Sequence, residues 1–286
     1  MSTIDDGALS AQERFSAAQP QPPDVWADGA GYESYMGRWS RLVAREFLAW
    51  LAIAPNRRWL DVGCGTGVLT QTILEHSQPA GIQSVDRAPG FVAFARQQVR
   101  DPRVRFDVAD AQELGVEPGA YDAVVAGLML NFVPQPDQAV GEMRRAARAG
   151  GAVAAYVWDY AGSMQILRHF WDAAAALNPQ ALELDEGRRF PLCQPQALAD
   201  LFRSVGLQEV EARAIDIATE FADFEEYWSP FLGGQGPAPS YVMALPAQQR
   251  LALRERLRQS LPAAPDGTIP LVARAWAVRG IRQGML

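Results

Sequence analysis

Short apolar runs alternate with segments of helical periodicity between about residue 58 and residue 158. Mostly apolar runs bounded by turn residues predict buried strands, and apolar residues spaced three or four positions apart predict helices between them. Strands that alternate with helices form a parallel sheet covered on both faces. The pattern therefore predicts an α/β protein with a doubly wound sheet, whose first five strands begin near residues 59, 82, 104, 121 and 150.

The segments outside this repeat divide the rest of the chain. Residues 1–24 are polar and rich in proline, which predicts a disordered tail before a domain at 25–286. A helix is predicted to end near Leu51, because Val43, Phe47 and Leu51 fall on one of its faces. Two stretches, at about 159–194 and 223–264, are too long for simple connections and predict helical cap insertions.

Composition limits the partners and the chemistry. The 286 residues carry a net charge of −7, and all 26 basic residues are arginine. Clustered basic residues are typical of nucleic-acid and anionic-membrane binding, so we expect neither partner. Without lysine there is no Schiff-base chemistry. Cys64 and Cys193 are expected to be free thiols in the cytoplasm, no spacing of a metal site is present, and the chain is expected to be a monomer or a homodimer.

The stretch around which the chain is organised joins the first strand to the helix after it. Its glycines, Gly63, Gly65 and Gly67, alternate directly behind the apolar run that contains Asp61. Glycine allows positive φ and a close approach of ligand, and the following helix offers unpaired N–H groups. The dinucleotide fingerprint would place a third glycine where Val68 stands, so a nicotinamide-binding site is disfavoured.

The pattern Asp61-x-Gly63-x-Gly65-x-Gly67 resembles motif I of the class I S-adenosylmethionine (SAM) dependent methyltransferases. The motif order over most of residues 30–280 is most similar to small-molecule enzymes of the ubiquinone and menaquinone biosynthesis type. This resemblance implies a seven-stranded, mostly parallel, Rossmann-like sheet with an antiparallel seventh strand near 268–278. It also implies SAM as the cofactor, S-adenosylhomocysteine (SAH) as its product and a small-molecule methyl acceptor.

The resemblance also assigns the cofactor-binding residues. The turn, including Cys64 and Thr66, would hold the amino acid part of SAM. Asp86 ends the second predicted strand and would bind the ribose hydroxyls, a role that its separation from Gly67 also favours. The remaining assignments concern the adenine and the methionine ends of SAM: Arg87, Asp110 and Ala111 for the base, and Leu128, Met129, Tyr35 and Arg38 for the methionine part.

Substrate and catalytic residues are predicted from position. Trp158, Asp159 and Tyr160 leave the fifth strand on the side where open parallel sheets bind ligands, and Trp228 lies in the second insertion. His169 is the histidine that could act as a general base. For each of these residues, simple packing or solvation is the alternative.

Methyl transfer from SAM requires few catalytic side chains. Because SAM carries its own leaving group, the enzyme has to align the reacting atoms and exclude water, and no catalytic base is obligatory. We therefore expect in-line methyl transfer to an O, N, S or C nucleophile. A SAM-binding protein of the same fold that does not methylate remains the main alternative, and a nicotinamide-dependent oxidoreductase is less favoured.

Overall fold

A computed structural model describes residues 36–233 and 236–284 of the chain. The predicted tail at 1–24 and Tyr35 lie outside the described residues. In the described part of the chain, no helix has the length and apolar character needed to cross a membrane.

Helices and strands alternate through the first part of the fold, as the sequence predicts, except that β3 is followed by β4 without a helix between them. The helices are α1 (Arg38–Leu51), α2 (Val68–His76), α3 (Pro89–Gln98) and α4 (Pro136–Ala146). The strands are β1 (Arg58–Val62), β2 (Gly81–Asp86), β3 (Val104–Val108), β4 (Tyr121–Gly127) and β5 (Ala147–Trp158).

The second part of the chain adds two strands and the helices of the insertions. Helices α5 (Gln165–Leu177) and α6 (Glu186–Arg189) follow β5, and α7 (Pro195–Ser204) leads into β6 (Gln208–Phe221). Three more helices, α8 (Phe224–Trp228), α9 (Pro237–Ala244) and α10 (Ala247–Ser260), precede β7 (Ile269–Ile281).

The seven strands form one sheet in the order β3-β2-β1-β4-β5-β7-β6. Pairs among β1 to β5 are parallel, and β7 runs antiparallel to both β5 and β6. The predicted seven-stranded, mostly parallel sheet is confirmed. The chain reverses its direction of winding between β1 and β4, and in open parallel sheets such a switch point is where ligands bind.

Both faces of the central strands are buried under helices. Successive side chains of a strand point to opposite faces, so neighbouring residues pack against different helices. Trp59 and Val125 pack with α1 and α2 on one face, whereas Leu60 and Val124 pack with α4 and α7 on the other. A central strand covered on both sides needs a continuous apolar run, which is what the sequence has at β4.

One strand boundary differs from the prediction. β5 begins at Ala147, directly after α4, and not near residue 150. Its first residues pair with the start of β4 through a shift in register between Tyr121 and Ala123. Gly150 has φ +72°, and a Cβ on Gly151 would lie 2.8 Å from the Arg148 carbonyl oxygen. The two glycines that suggested a turn before the strand are therefore part of an irregular strand start.

Candidate active site

A cavity of about 270 Å³ opens at the carboxyl ends of β1, β2, β4 and β5. One part of its wall is the glycine turn and the acids that follow β1 and β2. The other part is apolar and aromatic, with Met36, Phe132, Trp158, Tyr160 and Leu167. The cavity therefore has a polar region and an apolar region within one enclosure.

The three glycines of the turn have positive φ and three different surroundings. A Cβ on Gly63 would lie 2.4 Å from Met129 Cγ, and one on Gly67 would lie 3.3 Å from Ala95 Cβ. A Cβ on Gly65 would meet nothing within 4 Å, and Gly65 lines the cavity. Gly63 and Gly67 therefore allow close packing, whereas Gly65 leaves space for a ligand to approach the backbone.

Asp61 is fully buried at the end of β1 and lines the cavity. Thr70 Oγ1, in the first turn of α2, donates to Asp61 Oδ2 at 2.6 Å. Asp61 Oδ1 has no hydrogen-bond partner among the described residues. Burial raises the Asp61 pKa to about 7, with the Thr70 hydrogen bond acting against this and the Asp86 charge adding to it. A cavity-lining carboxylate with one buried oxygen that lacks a donor fits a ligand that brings a cation or an N–H group.

Asp86 links the end of β2 to the glycine turn. Its Oδ2 accepts from the Gly65 N–H at 3.0 Å, and its Oδ1 accepts from the Ala88 N–H at 2.8 Å. Burial raises the Asp86 pKa, and these backbone donors act against that effect. Each carboxylate oxygen has a second lone pair, so both can still accept from a ligand. Asp86 thus shapes the turn as well as lining the cavity.

Most of the remaining predicted cofactor residues also reach the cavity. Cys64, Thr66, Arg87, Asp110, Ala111, Leu128 and Met129 line it, whereas Gly67 does not. Asp110 Oδ1 accepts from the Gln112 N–H at 2.8 Å, which holds the turn after β3. Burial raises the pKa of the Cys64 thiol well above its ordinary value. Cys64 is therefore a packed, unreactive thiol, and both cysteines are free.

The exit from β4 holds a strained residue beside the cavity. Leu128 has φ +59°, which is uncommon for a residue with a side chain, and its N–H donates to the Tyr156 carbonyl at 2.8 Å. A Cβ on Gly127 would lie 2.6 Å from Tyr156 Oη. The strained turn directs Leu128 and Met129 to the cavity, and strain of this kind is typical of ligand-binding positions.

Two of the four predicted substrate residues do not line the cavity. Asp159 turns back on its own loop, where its carboxylate accepts from the N–H groups of Gly162 and Ser163 at 3.0 and 2.8 Å. Trp228 is buried against Phe224 and Phe231. Both side chains stabilise local structure. Trp158, the last residue of β5, and Tyr160 line the cavity, so both stay candidates for contact with a substrate.

Two further predicted residues lie elsewhere. The Arg38 guanidinium forms an ion pair with Glu226 and lies 4.1 Å from the centre of the Trp39 ring, and Arg38 does not line the cavity. His169 is half-buried on α5 and also lies outside the cavity wall, where burial lowers its pKa. The structure therefore places outside the cavity wall both Arg38, which was predicted to bind the methionine part of SAM, and His169, which was predicted as a general base.

Sequence reasoning missed a buried acid in the cavity wall. Glu186, on the four-residue helix α6, is 2% exposed and lines the cavity. Burial raises its pKa to about 7. In the sequence it lies in the charged run 185–189, which resembles a solvated surface turn. Tyr156, which the sequence also offers as a substrate-contact candidate because it leaves β5 towards this side of the sheet, lines the cavity as well.

Comparison with known proteins agrees with this geometry. Residues 60–155 match a family model described as "Methyltransferase domain". A ubiquinone biosynthesis O-methyltransferase of Burkholderia pseudomallei is 30% identical over 178 residues, which cover 59% of this chain and 73% of the relative. A trans-aconitate 2-methyltransferase of Methylobacterium nodulans is 30% identical over 46% of this chain and 50% of the relative. The chain thus matches half of that relative, and 42% of a 27% identical protein from Synechococcus.

Solved structures share the fold. Phosphoethanolamine N-methyltransferase 2 of Haemonchus contortus, in complex with phosphomonomethylethanolamine and SAH, superposes with a TM-score of 0.58 at 15% identity. The match covers 97% of this chain and 61% of that one. The [4+2]-cyclase SpnF has a TM-score of 0.52 at 18% identity, covering 86% and 82% of the two chains. Together with the family model and the relative matched over 73% of its length, the fold and its glycine turn show that the chain belongs to the SAM-dependent methyltransferase family.

Proposed function

We propose that this protein transfers the methyl group of SAM to a nucleophilic atom of a small, largely apolar molecule. The observation that carries the proposal is a cavity lined both by Asp61, whose Oδ1 has no partner among the described residues, and by the open backbone of Gly65, with an aromatic wall on its other part. A cationic amino acid group fits beside a buried carboxylate oxygen that lacks a donor. An apolar acceptor fits the aromatic wall.

The residues of the polar region suit the parts of SAM that the family resemblance assigns to them. The turn at Gly65 and the Asp61 carboxylate would hold the amino acid part. Asp86 has lone pairs free for the ribose hydroxyls, while Asp110 and Ala111 follow β3 at the place expected for the base. Leu128 and Met129 would enclose the methionine end.

SAM supplies a methyl group on a positively charged sulfur, which is the chemistry of the proposed reaction. The protein's part is to hold the acceptor in line with the methyl group and to keep water out. Trp158, Tyr160 and Phe132 serve both purposes, because their rings exclude water and confine a flat molecule. The Asp159 hydrogen bonds fix the loop that carries Tyr160, which keeps this wall rigid.

Calorimetry with SAM, SAH and NADH tests the cofactor. We expect heat with SAM and SAH and none with NADH, and we expect Asp86→Ala to weaken SAM binding at least tenfold because it loses two backbone contacts and the proposed ribose contact. Asp172→Ala is a matched control, since it removes an exposed acid from α5. Absence of heat with both SAM and SAH from folded protein would refute the assignment.

The alternative is a SAM-binding protein that does not methylate. The chain shares its fold with a [4+2]-cyclase, so the fold by itself does not decide between these two functions. Methyl-labelled SAM separates the two, because only a methyltransferase forms SAH together with a labelled acceptor. Two buried free thiols fit a reducing compartment, and we also propose that the protein acts in the cytoplasm.

A further inference from the structure

A third buried acid shares the cavity with the two acids proposed to bind SAM. Glu186 lines the same cavity as Asp61 and Asp86, but it comes from the insertion after β5 and not from the parallel sheet. The helix that carries it packs on the backbone of Tyr160, a residue of the apolar region. Glu186 is therefore a carboxyl placed where an acceptor molecule would lie.

Neutral groups, and not a cation, hold this carboxyl. The Trp171 indole N–H donates to Glu186 Oε2. The guanidinium of Arg168 pairs with the neighbouring Asp185, with Nη1 to Oδ2 at 2.9 Å, and Asp185 also caps α6 by accepting from the Gly187 N–H at 2.9 Å. Arg168 is thus paired with Asp185, and among the described residues its charge acts on Glu186 without forming an ion pair with it.

The backbone around Glu186 is fixed by close packing. A Cβ on Gly187 would lie 2.7 Å from the Tyr160 carbonyl oxygen, so α6 lies directly against the chain that leaves β5. The Phe190 ring lies 5.1 Å from Phe132 and 5.8 Å from Tyr160, both of which line the cavity. Phe190 thus packs behind two rings of the cavity wall, and a flat molecule lying against Phe132 and Tyr160 would share the cavity with the Glu186 carboxyl.

We propose that Glu186 accepts the proton of a weakly acidic hydroxyl on a flat, apolar methyl acceptor. This inference rests on the proposed methyl transfer. The hydroxyl oxygen forms a bond to the methyl carbon, the bond between that carbon and sulfur breaks with its electron pair left on sulfur, and the hydroxyl proton passes to the Glu186 carboxylate. The carboxyl then returns the proton to solvent when the product leaves.

The electrostatic surroundings suit a base that works near neutral pH. Burial is the main cause that raises the Glu186 pKa, and the Asp185 charge adds to it. Its own backbone N–H, the Trp171 indole and the Arg168 charge act in the opposite direction. Asp61, Asp86 and Arg87 face the same cavity. A base is most effective when its pKa lies near the working pH, since it is then both available and strong enough.

Proton uptake on binding of a phenol provides a test that needs no turnover. The probe is 4-nitrophenol, added to SAH-loaded protein at about pH 8, where the free phenol and the free carboxyl are both largely ionised. Two negative oxygens in contact cannot both stay ionised, so binding should draw one proton from solvent. Calorimetry in two buffers of different ionisation enthalpy measures this number.

We expect about one proton taken up by the wild-type protein and none by Glu186→Gln, which keeps an acceptor for Trp171. Glu183→Gln is the matched control: it makes the same change at an exposed acid three residues earlier, and it should behave as wild type. Trp171→Phe keeps the carboxyl but removes its donor, so uptake should persist and its onset should move to higher pH.

The possible outcomes separate the two proposals. Loss of the SAH heat would refute the proposed function itself. If SAH binds but 4-nitrophenol does not, or if Glu186→Gln takes up as many protons as wild type, the role of Glu186 is refuted while SAM binding stands. Thermal unfolding of each variant verifies that it is folded.

Discussion

The free energy of unfolding of the cofactor-free protein should fall as pH rises, because Asp61 ionises. Replacing Asp61 with asparagine should abolish this part of the pH dependence. The Asp61 pKa is about 7 in the folded protein against an ordinary 3.8. A carboxyl that binds its proton more tightly when folded favours the folded state at low pH, and this contribution is lost as pH rises from about 4 through about 7. With these two values, the loss between about pH 5 and pH 8 is about 2.5 kcal/mol.

Urea unfolding of both proteins at the two pH values isolates this contribution. In the Asp61→Asn variant the new side chain can still accept from Thr70 Oγ1, but its amide group lacks a partner at the Oδ1 position, which costs about 1–3 kcal/mol at either pH. That cost cancels when the pH dependence of the variant is subtracted from that of wild type, as do contributions from acids that do not interact with Asp61. The Asp86 charge does interact with Asp61, so its part stays in the difference. A remaining difference near zero would refute the electrostatic account of the site.

Four further substitutions test the geometry. Gly65→Ala meets no neighbouring atom, so it should cost only about 1–2 kcal/mol from its positive φ while weakening SAM binding at least tenfold in calorimetry. Gly63→Ala forces a Cβ to within 2.4 Å of Met129 Cγ and should lower stability by about 3 kcal/mol or more, measured by urea unfolding. His169→Gln should leave the rate of SAH formation within about twofold, because the residue lies outside the cavity wall; a loss of about a hundredfold would restore it as a base. Arg38→Ala breaks a largely exposed ion pair, so it should cost less than about 1 kcal/mol and leave SAM affinity unchanged, whereas a tenfold loss would place it in the site.

The parallel strands between about residues 58 and 158 could be predicted because the central sheet leaves a strong pattern, whereas the antiparallel seventh strand was implied only by the family resemblance. Strands buried on both faces need nearly continuous apolar runs, and β1 and β4 have such runs in the sequence. The start of β5 was predicted less well, since Gly150 and Gly151 signal a turn in sequence and instead form an irregular strand. Glycines in a sequence indicate the local backbone geometry, but they do not indicate whether the strand stays paired with its neighbour at that point.

The polar region of the site was predictable for the same reason. The ends of adjacent parallel strands meet at one edge, so Asp61 and Asp86 could be placed together from the chain alone. Glu186 could not be placed, because only the packing of α6 on the chain after β5 brings it to the cavity. Trp228 shows the opposite failure: an aromatic stripe at helical spacing marks a buried face, and the sequence does not say which partner covers it.

Asp61, Asp86 and Glu186, the three cavity acids discussed above, share a property that bears on how a charged cofactor would be held and released. Thr70 Oγ1 donates to Asp61, the backbone of Gly65 and Ala88 donates to Asp86, and the Trp171 indole donates to Glu186. All these donors are neutral, so they orient the carboxyls without cancelling their charge. A cation that enters the cavity therefore meets negative charge in a region of low dielectric, where the attraction is far stronger than in water.

SAM has one more positive charge than SAH, and that charge is lost as the methyl group leaves. The same acids that favour entry of the cofactor should thus hold the product less tightly, and the preference should grow as pH rises through about 7 and the carboxyls ionise.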